Sequence, residues 1–462
     1  MQFGIKTNSI RLDEDERTLY VDKACVVLPS DLRSCCSLKE LKPDLLLSLK
    51  YLLRVDVVDS QAVILHYLSQ SSRKCTHCTV YSLNNAYGFE QYLMKRAYAG
   101  THGLKRFFVL INPFGGQGKA NKIWQQMASP VFQTAHLECN IVFTEYRNHA
   151  RSIVANIDLK SLDAIICVGG DGLFHECLNG LGDRKDNAVA FNTPLCMIPG
   201  GTGNAFSYNA TQETHPASVA LEIIKGVKKS FDLMSFDQKG DISYSFLSAN
   251  YGIIADSDVG TDNLRFMGEN RTILGFLIRL FQKPTWKCKV EMEVVSSDRN
   301  EMRKAYLQRL QQATINKNGG TTDRIVNMPW YNEGNISRVT IDIQDLSVFY
   351  AGLLPYVAAD MRVFPVCDID DGLIDVAIIR SNPFRRPLLS MFMHIETGEH
   401  FNSDFLSYYK VRSFRFTPID TGAHHYFVLD GEEYPFVPFE CRAAPGLGTT
   451  LASQAGFKLL SL

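Results

Sequence analysis

The sequence predicts an α/β domain followed by an antiparallel β-rich domain, with a small β-rich extension in front. Three observations carry this reading. Between residues 101 and 232, buried-type strands alternate with segments of helical period, the pattern of a mostly parallel sheet flanked by helices. From 233 to 462, strand-like runs succeed one another with little helix, which reads as a sandwich or a barrel. Residues 1–100 hold further short β runs that close on a single helical pattern.

In the extension the expected strands are Thr18 to Val21, Cys25 to Leu28, Leu53 to Val58, Ala62 to Leu65 and Cys78 to Tyr81. A helix is expected from Ala86 to Tyr98, with Phe89, Tyr92, Leu93 and Arg96 at helical spacing. Two readings stay open: a small β-domain resembling a pleckstrin-homology unit, or an extension packed on the catalytic core. In the α/β domain, Phe107 to Ile111 is the first strand, and Ala120, Ile123, Trp124 and Met127 then fall on one helix face. Ala164 to Val168 is the second strand. Phe174, Cys177, Leu178 and Leu181 follow at helical spacing, with Gly182 placed to end that helix. Leu195 to Ile198 is the third. Beyond Asp232 the expected strands are Tyr244 to Ala249, Lys289 to Val295, Val339 to Asp342, Ser347 to Tyr350, Met361 to Phe364, Ile374 to Ile379, Ser413 to Thr417 and His425 to Leu429. A polar insertion occupies 296–329, helical from Glu301 to Ala313.

Composition narrows the function. Across 462 residues, 48 basic and 49 acidic side chains leave a net charge of −1, so no nucleic-acid partner is expected. The start Met1-Gln2-Phe3-Gly4-Ile5-Lys6 lacks the apolar core of a signal peptide, and Gln2 excludes N-myristoylation. No segment reaches the roughly 18 consecutive apolar residues of a spanning helix. Twelve cysteines without a secretory signal read as reduced thiols, hence a cytoplasmic protein whose membrane contact is peripheral. Cys75-Thr76-His77-Cys78 has a metal-ligand spacing, but no second pair is suitably placed, so ordinary cysteines are expected.

Three glycine-rich turns each follow a strand of the α/β domain: Asn112 to Lys119, Gly169-Gly170-Asp171-Gly172, and Pro199-Gly200-Gly201-Thr202-Gly203-Asn204. Glycine lets the backbone approach a ligand, and amides at a helix N-terminus aim partial positive charge at phosphate. Three such turns at one sheet converge on the crevice where α/β folds bind ligands. A Walker A loop is excluded, since Pro113 stands where the first glycine belongs and Ala120 follows Lys119. None of the turns completes Gly-x-Gly-x-x-Gly, which argues against a dinucleotide-binding dehydrogenase. Asp171 stands out among the glycines. A pure phosphate cradle would avoid a carboxylate, whereas one beside a transferable phosphoryl group can accept the proton of an attacking hydroxyl. A cap on the helix that follows is the compatible, plainer role.

The stretch Asp163 to Gly180, with Val168-Gly169-Gly170-Asp171-Gly172 at its centre, resembles the signature of the diacylglycerol kinase and sphingosine kinase superfamily. Asn112-Pro113-Phe114-Gly115-Gly116, Thr144-Glu145-Tyr146-Arg147-Asn148-His149-Ala150 and Pro199 to Asn204 match it in order and spacing, from about Lys105 to the C-terminus. The resemblance implies a phosphofructokinase-like nucleotide domain and a β-sandwich lipid-binding domain, with ATP and Mg²⁺ used between them. It makes Asp171 the general base. It puts Asn112, Pro113, Phe114, Thr144, Glu145, Tyr146, Arg147, Asn148, Glu176, Gly201, Thr202 and Gly203 on the nucleotide, and Gly169, Gly170 and Gly172 beside the acceptor. Asp430, Gly431 and Glu432 match an Asp-Gly-Glu element that reaches back to ATP. From the residues alone Asp430-Gly431 is a hairpin turn, with the carboxylates at its tip.

Ser248 to Asp258, continuing to Arg265, Gly268, Glu269 and Arg271, resembles the substrate segment of sphingosine kinases. That resemblance implies a sphingoid base as substrate, with Ser248 and Asp258 on its head group and Arg265 and Arg271 on ATP phosphates. The chemistry agrees: guanidiniums suit phosphate oxygens, and a carboxylate suits an ammonium, which sphingoid bases carry and ceramide and diacylglycerol lack. A solvated acidic loop is the plainer reading of Asp256, Asp258 and Asp262. Gly169 departs from the Ser common in sphingosine kinases and matches ceramide and diacylglycerol kinases, which keeps ceramide kinase open. Thr202 replaces a frequent Ser, and Asp262 a Glu. Apolar runs at Ile273 to Phe281 and Pro387 to Ile395 suit a lipid pocket or membrane contact as well as a core. A nucleotide- or lipid-binding module without turnover is the alternative of another class, against which the intact Gly170-Asp171-Gly172 stands.

Overall fold

The computed structural model describes residues 10–13, 15, 17–22, 26–27, 45–101, 103, 106–201, 203–259, 286–315, 336–380, 393–419, 425–453 and 457. In the N-terminal unit, Ile10–Leu12, Thr18–Val21 and Leu45–Ser48 make one antiparallel sheet. Val26–Val27, Cys75–Val80, Ala62–Leu68 and Leu52–Asp59 make another. Alternation along the strands sends Val63, Leu65, Cys78 and Val80 inward, where the Ala86–Ala97 helix adds Phe89 and Leu93. That helix is capped by Asn85, whose Oδ1 accepts from the Gly88 N–H at 2.9 Å. The unit has this core of its own, yet Leu53 and Leu68 pack into the core of the next domain. The Tyr98 hydroxyl donates to the Leu53 carbonyl at 2.7 Å. Lys225 donates to the Ala97 carbonyl at 2.9 Å with its amino group 3.5 Å from the Tyr98 ring centroid, and burial pushes its pKa down to about 7. Cys75 and Cys78 share one strand and face different cores, so their spacing is not a chelate.

The α/β domain is a four-stranded parallel sheet in the order Leu195–Pro199, Ala164–Gly169, Arg106–Ile111, Glu138–Phe143. Its central strand Ala164–Gly169 is buried throughout, as expected where helices cover both faces. The first helical run differs from the expected single helix. After Ala120–Ile123 the chain widens into a π turn, Trp124–Ala128, before Ser129–Thr134. The extra residue per turn rotates the apolar stripe, so Met127 is exposed and Ala128 and Val131 are buried instead.

Ten strands form the C-terminal sheet system. Trp286–Ser296 and Ile374–Arg380 each pair with both Ser337–Gly352 and Leu406–Pro418, so the ladder closes on itself around an apolar core. Four strand expectations need correction. Tyr244 to Ala249 is two strands, Asp241–Ser245 and Ser248–Gly252. Val339 to Asp342 and Ser347 to Tyr350 are halves of the single strand Ser337–Gly352, whose polar first half had masked its continuity. Met361 to Phe364 makes only an isolated bridge between Ala358 and Met361. The long outer strands Val227–Gln238 and Phe439–Ala452 went unread because glycines and charges interrupt their alternation. Val227–Gln238 belongs to this sheet, so residue 232 falls inside a strand.

A buried ionic network ties the sandwich to the insertion, whose helix runs Arg299–Ile315. Arg309 pairs with Asp368 at 2.7 Å and Asp370 at 2.6 Å. Lys410, 1% exposed, bridges Asp371 at 2.7 Å and Asp375 at 2.8 Å, and the Tyr408 hydroxyl donates to Asp375. Removing one partner of such a network leaves uncompensated charge. Lys410→Met should lose about 3–5 kcal/mol of stability at pH 7 by urea denaturation. The deficit should shrink as pH falls, because burial pushes the Asp375 carboxyl up and, without Lys410, it takes up a proton.

Candidate active site

The three glycine turns meet at the carboxyl ends of adjacent parallel strands, on both sides of the point where strand order reverses. The Asn112 N–H donates to the Val168 carbonyl at 3.2 Å, and the Gly200 N–H to the Gly169 carbonyl at 3.0 Å. A Cβ on Gly201 would lie 2.4 Å from the Gly170 Cα, so here two backbones touch and no side chain fits between them. Asn112 Oδ1 accepts from the Phe114 N–H at 3.0 Å, an Asx turn that carries the chain past Pro113 and leaves Phe114 77% exposed. Across the mouth, Thr144 is buried, its N–H donating to the Ile111 carbonyl at 2.9 Å. The exposed Tyr146 ring stacks on His149 at 4.4 Å, and the Glu145 N–H donates to His149 Nδ1.

Asp171 sits in the first turn of the Asp171–Gly182 helix, but it caps another one. Its carboxylate accepts from the Ala205 N–H at 3.1 Å and the Phe206 N–H at 3.3 Å, at the start of Ala205–Thr211. Gly203 makes room for it, since a Cβ there would come within 2.8 Å of Asp171 Oδ2. Burial pushes the Asp171 pKa up to about 6, against the lowering effect of those two amides, and the nearby Asp430 carboxylate adds to the rise. The group is therefore a carboxylate at neutral pH with the basicity to take a proton.

Two residues expected on the nucleotide hold parts of the protein itself. Glu176 accepts from the Asn148 N–H at 2.9 Å and the Ala150 N–H at 3.1 Å, capping the His149–Asn156 helix that carries Arg147 and Asn148 before it. Asp430 lies not at the tip of a solvated turn but buried, 2% exposed. Asp430 (φ 52°) and Gly431 (φ 81°) do form the two-residue hairpin between Phe427–Leu429 and Glu432–Tyr434. The Asp430 carboxylate accepts from the Ser245 hydroxyl at 2.6 Å and from the N–H groups of Phe246, Leu247 and Ser248 at 3.2, 3.0 and 2.9 Å. His175 Nδ1 stands 2.8 Å from the same carboxylate and must be the donor there, leaving Nε2 to accept from Tyr434 or Asn179. Only Glu432 of this element faces the site. It pairs with Arg147 at 2.6 Å, and a Cβ on Gly172 would lie 2.8 Å from its Oε1.

His175, Asn179, Ser245 and Tyr434 were not expected to matter. The one hint was His175 four residues after Asp171, on the same helix face. Ser248 is buried in the strand Ser248–Gly252, its backbone bonded to Asp430 in both directions. Asp256 accepts from the Tyr426 N–H. Asp258 lies in the helix Ile253–Val259. Thr202, Arg265, Arg271 and the run Ile273 to Phe281 lie outside the described residues, as does most of Pro387 to Ile395. Among the described residues no three His, Cys, Asp or Glu side chains form a metal cage.

Residues 106–236 match the diacylglycerol kinase catalytic domain, and 340–451 match the YegS C-terminal NAD kinase beta sandwich-like domain. The chain is 52% identical to sphingoid long chain base kinase 4 of Schizosaccharomyces pombe over the full length of both. It is 29% identical to sphingoid long chain base kinase 5 of Saccharomyces cerevisiae, over 78% of this chain and 61% of that one. A solved Bacillus anthracis structure, named only as a candidate diacylglycerol kinase, covers 78% of this chain and 98% of its own at TM-score 0.54 and 18% identity, a likeness of fold alone.

The Asp430 junction can be tested apart from any activity. Asp430→Ala strands five donors in a buried place, so thermal and urea unfolding should show a loss of about 3–5 kcal/mol. His175→Gln, which keeps a donor, should cost visibly less.

Proposed function

The chain belongs to the sphingoid long-chain base kinases, and from that premise we propose that it transfers the γ-phosphate of ATP to the primary hydroxyl of a sphingoid long-chain base, giving the 1-phosphate. The observation that carries the mechanism is the Asp171 carboxylate, of raised pKa, held where three glycine turns meet. The acceptor hydroxyl gives its proton to Asp171 as its oxygen attacks the γ-phosphorus; the bond to the bridging oxygen breaks and ADP leaves.

Asn112, Pro113, Phe114 and the turn Thr144 to Asn148 are suited to the nucleotide, and the Gly203 amide to its phosphates. The Gly201 N–H is taken by Asn204 Oδ1 at 2.9 Å, so Gly201 contributes a close backbone approach, and Thr202 is proposed on the resemblance alone. Arg265 and Arg271 are proposed as phosphate ligands on the resemblance alone. Glu176, Asp430 and Gly431 act through other groups: Glu176 holds the Arg147 turn, and Asp430 and Gly431 present Glu432. Mg²⁺ arriving with ATP would neutralise phosphate charge; among the described residues no three His, Cys, Asp or Glu side chains are assembled to hold it. Ser248 is a backbone element of the acceptor site, and Asp258 is the proposed ammonium partner. At Gly169 a Cβ would lie 3.0 Å from Leu173 Cδ2, a tight approach to a flexible side chain, so Gly169 by itself does not choose between ceramide and a sphingoid base.

Residues 1–100 are proposed as a pleckstrin-homology-like unit, on their two sheets closed by a helix. A peripheral membrane contact from the cytoplasm is proposed because the acceptor is a lipid and no helix among the described residues is long and apolar enough to cross a membrane.

Two outcomes are expected. Asp171→Asn should lose about 10²–10⁴ in kcat with little change in ATP affinity. In the wild type, acceptor turnover should rise with pH through about 6, where Asp171 becomes the base, and this limb should vanish in the variant. Asp258→Asn should raise KM for the sphingoid base by roughly 30-fold, the cost of an unpaired buried cation at about 1.4 kcal/mol per decade. Ceramide, whose acylated nitrogen is neutral, should be a poor substrate. A wild-type preference for ceramide over sphingosine, dihydrosphingosine and phytosphingosine would make this a ceramide kinase.

A further inference from the structure

The strand that leads into the acceptor segment places a polar group where a well-packed core would have none. Tyr251, 0% exposed, points into the sandwich core against Phe416 and Phe436, and its hydroxyl has no hydrogen-bond partner among the described residues. Trp286, 1% exposed, opens the core strand that lies one strand away, across Ser337–Gly352, and its Nε1–H is likewise without a partner among the described residues. Both rings stand against one residue: His425 is 6.1 Å from Tyr251 and 6.0 Å from Trp286 between centroids. The Asp256 carboxylate closes the group, 3.8 Å from His425 Nδ1.

Buried donors are almost always paired, and each one left over costs about 1–3 kcal/mol. Two of them on rings that border the same imidazole call for an acceptor. Burial raises the Tyr251 phenol far above neutral pH, so it remains an O–H donor. The place is informative as well. Tyr251 lies three residues, about 10 Å of strand, beyond Ser248 at the Asp430 junction, and two residues before the Ile253–Val259 helix that carries Asp256 and Asp258. On the sphingoid-base reading, that is along the segment proposed for the acceptor, beyond the residue proposed for its head group.

We propose that Tyr251 Oη–H and Trp286 Nε1–H donate to a chain hydroxyl of the acceptor lipid, one carried beyond the amine, and so make this enzyme a reader of sphingoid-base hydroxylation. The proposal rests on the sphingoid-base reading above. A phenol that bonds only to substrate adds nothing to the stability of the free protein, which separates this role from a structural one.

Dihydrosphingosine and phytosphingosine differ by one chain hydroxyl, and KM for each should be measured on the full-length wild type, Tyr251→Phe and Trp286→Phe, with melting temperatures alongside. The wild type should show a KM roughly three- to tenfold lower for phytosphingosine, the worth of one or two neutral hydrogen bonds. Tyr251→Phe should bring that ratio to within about twofold of unity with an unchanged or higher melting temperature, and Trp286→Phe should reduce it. Equal KM values in the wild type overturn the proposal, as does a ratio that survives both substitutions; an ordered water is then the missing partner. If Tyr251→Phe fails to fold, the wild-type ratio and Trp286→Phe decide. A wild type that phosphorylates no sphingoid base removes the parent reading too, whereas one that phosphorylates both bases equally removes only this proposal.

Discussion

The Asp430 carboxylate, buried and bonded to five donors, holds the two halves of the catalytic unit in one register. Four of those donors belong to the sandwich, at the start of the acceptor strand, and the fifth is His175 from the nucleotide domain. A charge this buried persists only when its lone pairs are filled, so the carboxylate specifies where the helix, the strand and the hairpin must be. The hairpin conformation follows from it. Asp430 adopts a positive φ that costs energy in an isolated peptide, and the bonds it makes there repay the strain. Glu432, two residues on, thereby reaches over Gly172 to Arg147.

The same arrangement explains how one carboxylate stays both charged and basic. Asp171 is pulled up by burial and by Asp430, and pulled down by two amides of the Ala205–Thr211 helix. Either influence alone would spoil a base: full desolvation would keep it protonated at neutral pH, and amides alone would leave it too acidic to take a proton. The glycines are part of this balance. Gly203 lets the carboxylate sit on the helix start, and Gly170 and Gly201 let the two turns close on each other.

A fold shared at 18% identity with a bacterial relative does not choose a lipid. The parallel sheet and its turns lie within the residues that match the diacylglycerol kinase catalytic domain. On the proposal above, choice among acceptors falls to side chains of the sandwich: Asp256 and Asp258 on the helix after the Ser248–Gly252 strand, the Tyr251 hydroxyl near the end of that strand, and the Trp286 N–H, whose ring the fold brings to the same His425.

Much of this was legible in the sequence. The alternation of strand and helix, the three glycine turns and the position of Asp171 follow from local pattern, because a strand period, a helix period and a glycine between them are properties of neighbouring residues. The family signature rests on the same contiguous stretches. What only the tertiary structure decided are matters of long-range pairing. Asp430 and Asp171 look alike in sequence, each an acidic residue before a glycine, yet one is a buried tie between domains and the other caps the Ala205–Thr211 helix where the glycine turns meet. Glu176 likewise caps a helix that begins 27 residues before it, a role that no neighbouring residue announces. The Ser337–Gly352 strand read as two pieces, since its polar half is a strand only through the partners it meets across the sheet. Local propensity is written in the chain itself, while the partner that satisfies a buried charge or an open sheet edge lies hundreds of residues away and is set by packing.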